Sequence, residues 1–138
     1  MKTILKIATV AALAAASAFA QGDLKARIPF AFATPGGGEM PAGQYEIART
    51  NATSAMPVYR ILNVDTKQSV MAMAADTVRR PAADRNAGPA VTFRCAAENC
   101  AISGVFTGTS DYGSGIRAKL KNVDPKVMIA EIAIPFGE

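Results

Sequence analysis

Ala90-Val91-Thr92-Phe93-Arg94-Cys95 and Cys100-Ala101-Ile102-Ser103-Gly104-Val105-Phe106-Thr107 are two short apolar-rich runs on either side of Ala96-Ala97-Glu98-Asn99. Neither is long enough for a free-standing helix. Runs of this length with β-branched and aromatic residues on both sides of a short polar connection are the pattern of a β-hairpin. The two cysteines bracket that connection. They are separated by four residues, so they form neither a Cys-x-x-Cys redox motif nor half of a zinc knuckle. In an exported chain the expected state is a disulfide between Cys95 and Cys100. Its short ring contributes about 2 kcal/mol through loop entropy.

The same reading extends in both directions. Pro57 to Val64 and Gln68 to Ala75 flank Asp65-Thr66-Lys67 as a second hairpin. Gln44 to Arg49 reads as a strand with Tyr45 and Ile47 inward, entered through the turn Met40-Pro41-Ala42-Gly43. Lys25 to Ala33 alternates around Ile28, Phe30 and Phe32, with Pro29 implying an edge position. Lys126 to Ile134 is an apolar final strand whose one internal charge is Glu131. Ile116 to Lys121 fits either a strand or one and a half helical turns. Asp76 to Pro89 and Gly108 to Gly115 read as loops. About seven strands in one domain predict an all-β fold, a small antiparallel sandwich or barrel.

Ahead of this domain, Lys2 and Lys6 precede an almost purely apolar run, Ile7 to Ala16, and Ala18-Phe19-Ala20 places small residues where a signal peptidase reads. The run is about ten residues, half of what a spanning helix needs. The expectation is a secretory signal peptide over residues 1–20, cleaved after Ala20, then a single domain over 21–138 in the periplasm or outside the cell, with no integral membrane span. Cleavage removes Lys2 and Lys6 and takes 15 basic residues to 13 against 11 acidic, a net charge of +2. So small and interspersed a charge offers no footprint for nucleic acid. Strands of six to eight residues with few aromatic rings also argue against a transmembrane barrel.

Three segments resemble a group of small exported β-rich proteins of environmental Gram-negative bacteria. They are Ile28-Pro29-Phe30-Ala31-Phe32 followed by Met40-Pro41-Ala42-Gly43-Gln44-Tyr45-Glu46-Ile47, then Tyr59-Arg60-Ile61-Leu62-Asn63, then Val91-Thr92-Phe93-Arg94. The Pro-Ala-Gly-x-Tyr element is the most specific. The resemblance covers residues 25 to 107 and implies a β-rich exported domain. No catalytic residue is carried over with it.

The chain contains no histidine. That removes His-based acid–base chemistry, Ser-His-Asp and Cys-His nucleophiles, and most zinc and copper sites. No Ser is followed three residues later by Lys, and no calcium loop occurs. The glycine runs Gly36-Gly37-Gly38 and Gly113-Ser114-Gly115 lack the context of a phosphate cradle. Asn51-Ala52-Thr53 has the form of a glycosylation sequon, a weak three-residue pattern that carries little meaning if the host is bacterial. No catalytic residue, metal or cofactor is expected, and the chain reads as a non-enzyme. Candidate binding residues are Arg79, Arg80 and Arg85 in the long loop and Tyr112, an aromatic residue in the second loop. Met56, Met71 and Met73 suit core filling better than an adaptable groove. The leading expectation is a binding or envelope-associated domain with a protein or envelope partner. The alternatives are an inhibitor-like domain using the 76–89 loop, or a small-ligand carrier, which a cavity would favour.

Overall fold

The computed structural model describes residues 24–50, 56–80, 88–108, 110–120, 124 and 126–137. The signal peptide, Arg85 and the 51–53 sequon lie outside the described residues. The chain forms β1 (Leu24–Ile28), β2 (Phe32–Ala33), β3 (Glu39–Met40), β4 (Gly43–Arg49), β5 (Val58–Asn63), β6 (Ser69–Met73), β7 (Asp76–Arg79), β8 (Ala90–Ala96), β9 (Asn99–Phe106), β10 (Tyr112–Gly115) and β11 (Ile129–Pro135). One sheet has the order β1-β4-β5-β6. The other runs β11-β8-β9-β10-β7, with β2 beside β9 and β3 beside β2. The two sheets make an open sandwich rather than a closed barrel.

Period-two burial builds the core as the sequence predicts. Tyr45 and Ile47 on β4 and Tyr59 and Ile61 on β5 are buried, while their neighbours along each strand are more exposed. Across from them lie Val91, Phe93, Ile102 and Val105 of β8 and β9. Phe32 joins the two layers, its ring packing edge-on against Tyr45 at 5.3 Å and against Phe93 at 5.1 Å. Offset aromatic contacts of this kind add about 0.5–1.5 kcal/mol each beyond the area they bury.

Pro29 interrupts what reads as one strand from Lys25 to Ala33. It cannot donate to a ladder, so β1 stops at Ile28 and β2 starts afresh three residues after the proline, in the other sheet. The β5–β6 turn is organised by Asn63, whose Oδ1 accepts the N–H groups of Asp65 (2.9 Å) and Thr66 (3.0 Å). Lys67 takes a left-handed conformation there, with φ of 65°. In the β8–β9 hairpin the ladder runs further than the sequence suggests. Ala96 pairs with Asn99, leaving only Ala97 and Glu98 as the turn, with Ala97 at φ of 54°.

Two regions read as loops contain strands. Asp76–Arg79 (β7) pairs antiparallel with Tyr112–Gly115 (β10), and β10 pairs in turn with β9. The Tyr-Gly-Ser-Gly composition of β10 hides a strand because the position tolerates no bulk. A Cβ on Gly113 would stand 2.6 Å from the Val105 carbonyl oxygen, and one on Gly115 would collide with the Asp76 side chain. Ile116 to Leu120 is neither helix nor ladder. It continues β10 as an irregular segment with Ile116 and Ala118 buried, held to β9 by the Ile116 N–H on Ser103 O at 2.9 Å. β11 is an edge strand beside β8, more exposed than its apolar composition predicts: Ile129 is 50% exposed.

The sheets meet at two seams. Ala74-Ala75 carries the chain from β6 into β7, with Ala74 N–H bonded to Pro57 O in one sheet and Ala75 N–H to Gly115 O in the other. At the opposite side Gly137 N–H bonds Lys25 O at 2.8 Å, so the segment following β11 bridges to β1.

Candidate binding surface

The residues singled out in the two loops are brought together by the β7–β10 ladder. Tyr112 lies directly opposite Arg79, and the Arg79 guanidinium sits 5.9 Å from the centre of the Tyr112 ring. Both are exposed. Arg80 departs from the expectation of a solvated loop charge. It is only 3% exposed: Nε donates to Ser110 O (2.9 Å), Nη1 to Gly88 O (2.8 Å) and Nη2 to Gly108 O (2.7 Å), while the guanidinium lies 4.8 Å from the Phe106 ring centre. The planar five-donor fork of arginine suits this three-carbonyl cradle. Its donors are committed to the protein's own backbone, which makes Arg80 a clamp on two connections, β7–β8 through Gly88 and β9–β10 through Gly108 and Ser110.

Cys95 and Cys100 are bonded and stand directly opposite one another on β8 and β9, with Cα atoms 4.0 Å apart. The close approach fits a non-hydrogen-bonded antiparallel pair. The bridge fastens the closed end of the hairpin.

An open groove of about 1020 Å³ is formed by β7, β8, β9, β11 and the 116–120 segment. Val78, Ile116, Leu120 and Ile129 supply its apolar lining. Arg79, Arg94, Arg117 and Lys119 bring four positive charges against the two carboxylates of Asp76 and Glu131. Arg117 Nη2 pairs with Asp76 Oδ2 at 3.3 Å, an exposed ion pair worth little to stability. Arg94 Nη2 donates to Ala118 O at 3.4 Å and ties the irregular segment back to β8. Register places Arg94 opposite Glu131 on β11. Of the groove cations, Arg79 alone is among the candidates singled out in the sequence. A usable signal for Arg94 existed: it is the one charged residue of β8, as Glu131 is of β11.

A second polar cluster surrounds Tyr45. Its hydroxyl donates to Pro41 O, within the Pro-Ala-Gly-x-Tyr element. Burial pushes the phenol above its ordinary value, the Asp65 carboxylate adds to that rise, and the Asn63 side chain opposes it. Asn63 Nδ2 is buried without a hydrogen-bond acceptor. The cluster is spent on holding the β4 entrance turn against the β5–β6 turn.

Among the described residues no group of three or more His, Cys, Asp or Glu is placed to hold a metal ion, and no helix is long and apolar enough to cross a membrane. The methionines depart from the core-filling expectation. Met56, Met71 and Met73 are 47%, 53% and 60% exposed. Searches against protein-family models, curated proteins and solved structures find no match to this chain.

Proposed function

We propose that the chain is an exported, non-catalytic binding domain whose groove takes an anionic ligand with an apolar body. The carrying observation is the concentration of charge. The groove's four cations and two carboxylates amount to a net +2, as much as the whole chain carries once residues 1–20 are removed. These charges surround an apolar lining, and sites that pair an apolar surface with a few convergent polar groups are the usual form of small-ligand recognition. The groove's volume matches that of drug-sized or short acyl ligands, which favours the carrier reading over a flat protein-docking face. The lack of histidine, and of any Ser followed three residues later by Lys, supports binding without turnover.

The test uses a fluorescent medium-chain carboxylate, such as dansyl-undecanoate, titrated into the purified protein. The expected result is saturable binding that weakens with salt and is displaced by laurate. Arg94→Ala with Lys119→Ala should weaken it at least tenfold. Equal displacement by dodecylamine, or an unchanged double variant, would refute an anion-selective groove.

A further inference from the structure

We infer that the free edge of β11 is a pairing surface for a second copy of this chain, which adds its own β11 antiparallel across a two-fold axis at Ala130. This goes beyond the groove reading and does not depend on it.

β11 is the outermost strand of its sheet, and among the described residues no strand pairs along its far side before Gly137 meets Lys25. Register fixes which backbone groups are open there. Ile129–Pro135 pairs with Ala90–Ala96, and the next rung is the Phe136 N–H on Pro89 O at 3.0 Å. Antiparallel bonding alternates, so Ala130, Ile132 and Ile134 turn their N–H and C=O groups to β8 while Ile129, Glu131 and Ala133 turn theirs outward. Gly137, on the outward parity, agrees with this phase: its N–H leaves β8 for Lys25 O. Beside this edge stand three exposed apolar side chains in succession, Val127 at 37%, Met128 at 88% and Ile129 at 50%. Natural edges are blunted by bulges, lysines or mid-strand prolines. The register of β11 is unbroken, it holds no lysine, and its proline is the last residue.

The occupant follows from the registers that β11 allows with itself. Only outward residues paired with outward residues form bonds, so the two-fold axis can fall at Ala130, Glu131 or Ile132. An axis at Glu131 sets two carboxylates directly opposite one another, which is destabilising. An axis at Ile132 sets Ile129 against Pro135, which has no N–H to give, and drives the incoming strand into the seam with β1. An axis at Ala130 avoids both. Ile129 and Glu131 of each copy then exchange both bonds with Glu131 and Ile129 of the other, Ala133 comes opposite Val127, and Met128 comes opposite Ile132. Each Glu131 keeps Arg94 opposite it on its own β8 as a counter-charge. The exposed apolar run and the strand that covers it belong to one segment, which is the self-complementarity a two-fold contact needs.

The test is sedimentation equilibrium of the purified, disulfide-intact protein, without any ligand, from micromolar to millimolar concentration. A monomer–dimer equilibrium is expected. Amide exchange at Ile129, Glu131 and Ala133 should slow as the dimer forms, while Ile132 and Ile134, bonded to β8, stay protected throughout. Ala133→Pro blocks the outward edge at a position of the same parity as Pro135, which the ladder to β8 already accepts, and should weaken the dimer at least tenfold with little change in Tm. Two charge variants at exposed Ile129 keep the test decisive should the proline disturb the strand. Ile129→Lys meets Glu131 of the other copy and should tighten the dimer several-fold, whereas Ile129→Glu should weaken it by at least as much. Sedimentation as a monomer at every concentration would overturn the inference. So would a dimer whose outward amides exchange at the monomer rate, or one that both Ile129 variants leave unchanged. Growth past the dimer would overturn it too, since a two-fold contact closes.

Discussion

Arg80→Ala should be among the most damaging single substitutions at any charged position of this domain. Three guanidinium nitrogens donate to the carbonyls of Ser110, Gly88 and Gly108, and the cation rests on Phe106. Hydrogen bonds to a charged group are worth about 1.5–3 kcal/mol net when fully buried. The three acceptors belong to solvent-facing residues that water can partly re-solvate, so about 1 kcal/mol each is the appropriate figure. Loss of a desolvated cation–π contact adds about 1 kcal/mol. The expected cost is about 3–4 kcal/mol. With an unfolding entropy of about 2.1 cal/mol/K per residue over the 118 residues from 21 to 138, each kcal/mol moves Tm by about 4 °C, so the variant should melt about 12–16 °C below wild type. Arg80→Lys keeps the charge but not the fork and should recover less than half of that loss. Arg79→Ala, one residue away and exposed, should stay within about 2 °C. Calorimetric or circular-dichroism melting of the three variants reads the outcome. An Arg80→Ala protein melting within 3 °C of wild type would refute the clamp and return Arg80 to the surface residues.

Replacing Cys95 and Cys100 by Ala should cost about 2 kcal/mol, or about 8 °C in Tm, and a reductant should lower wild-type Tm by a similar amount; equal melting with and without the bridge would contradict the estimate. The Tyr45 phenol is held above its ordinary value by burial, so above about pH 10 the unfolded chain releases this proton while the folded chain keeps it. The contribution is fully present below pH 10 and is lost as pH rises through the folded value. Wild type should therefore lose denaturant stability more steeply between pH 9 and 11.5 than Tyr45→Phe does, and parallel curves would count against it.

Elements with large period-two side chains were legible in the sequence. β4, the β5–β6 hairpin and the β8–β9 hairpin fall within a residue or two of their expected ends, because Tyr45, Ile47, Tyr59, Ile61 and Phe93 mark the inward face unambiguously. The β7–β10 ladder was not legible. Gly113 and Gly115 are there to leave space, and residues selected for small volume look like residues selected for a turn. Arg80 was misplaced for a related reason: arginine is ordinarily exposed, and its partners are backbone carbonyls that no side-chain pattern announces. The groove was invisible because its cations come from strands and a segment 15 to 40 residues apart in sequence. Only the register, with Arg94 opposite Glu131, brings them to one surface.

The bridge between Lys25 and Gly137 has a temporal consequence. The meander β4-β5-β6 and its neighbour β1 pair within residues 24–73, so the first sheet can assemble while the rest is still emerging. The second sheet depends on β11, and the far seam joins residues at opposite ends of the domain. Such a closure is the slowest contact to find. A chain threaded N-terminus first therefore holds a half-built sandwich, with the edge of β8 unprotected, until its last ten residues arrive, and removing those residues should leave that edge open to pairing with other chains.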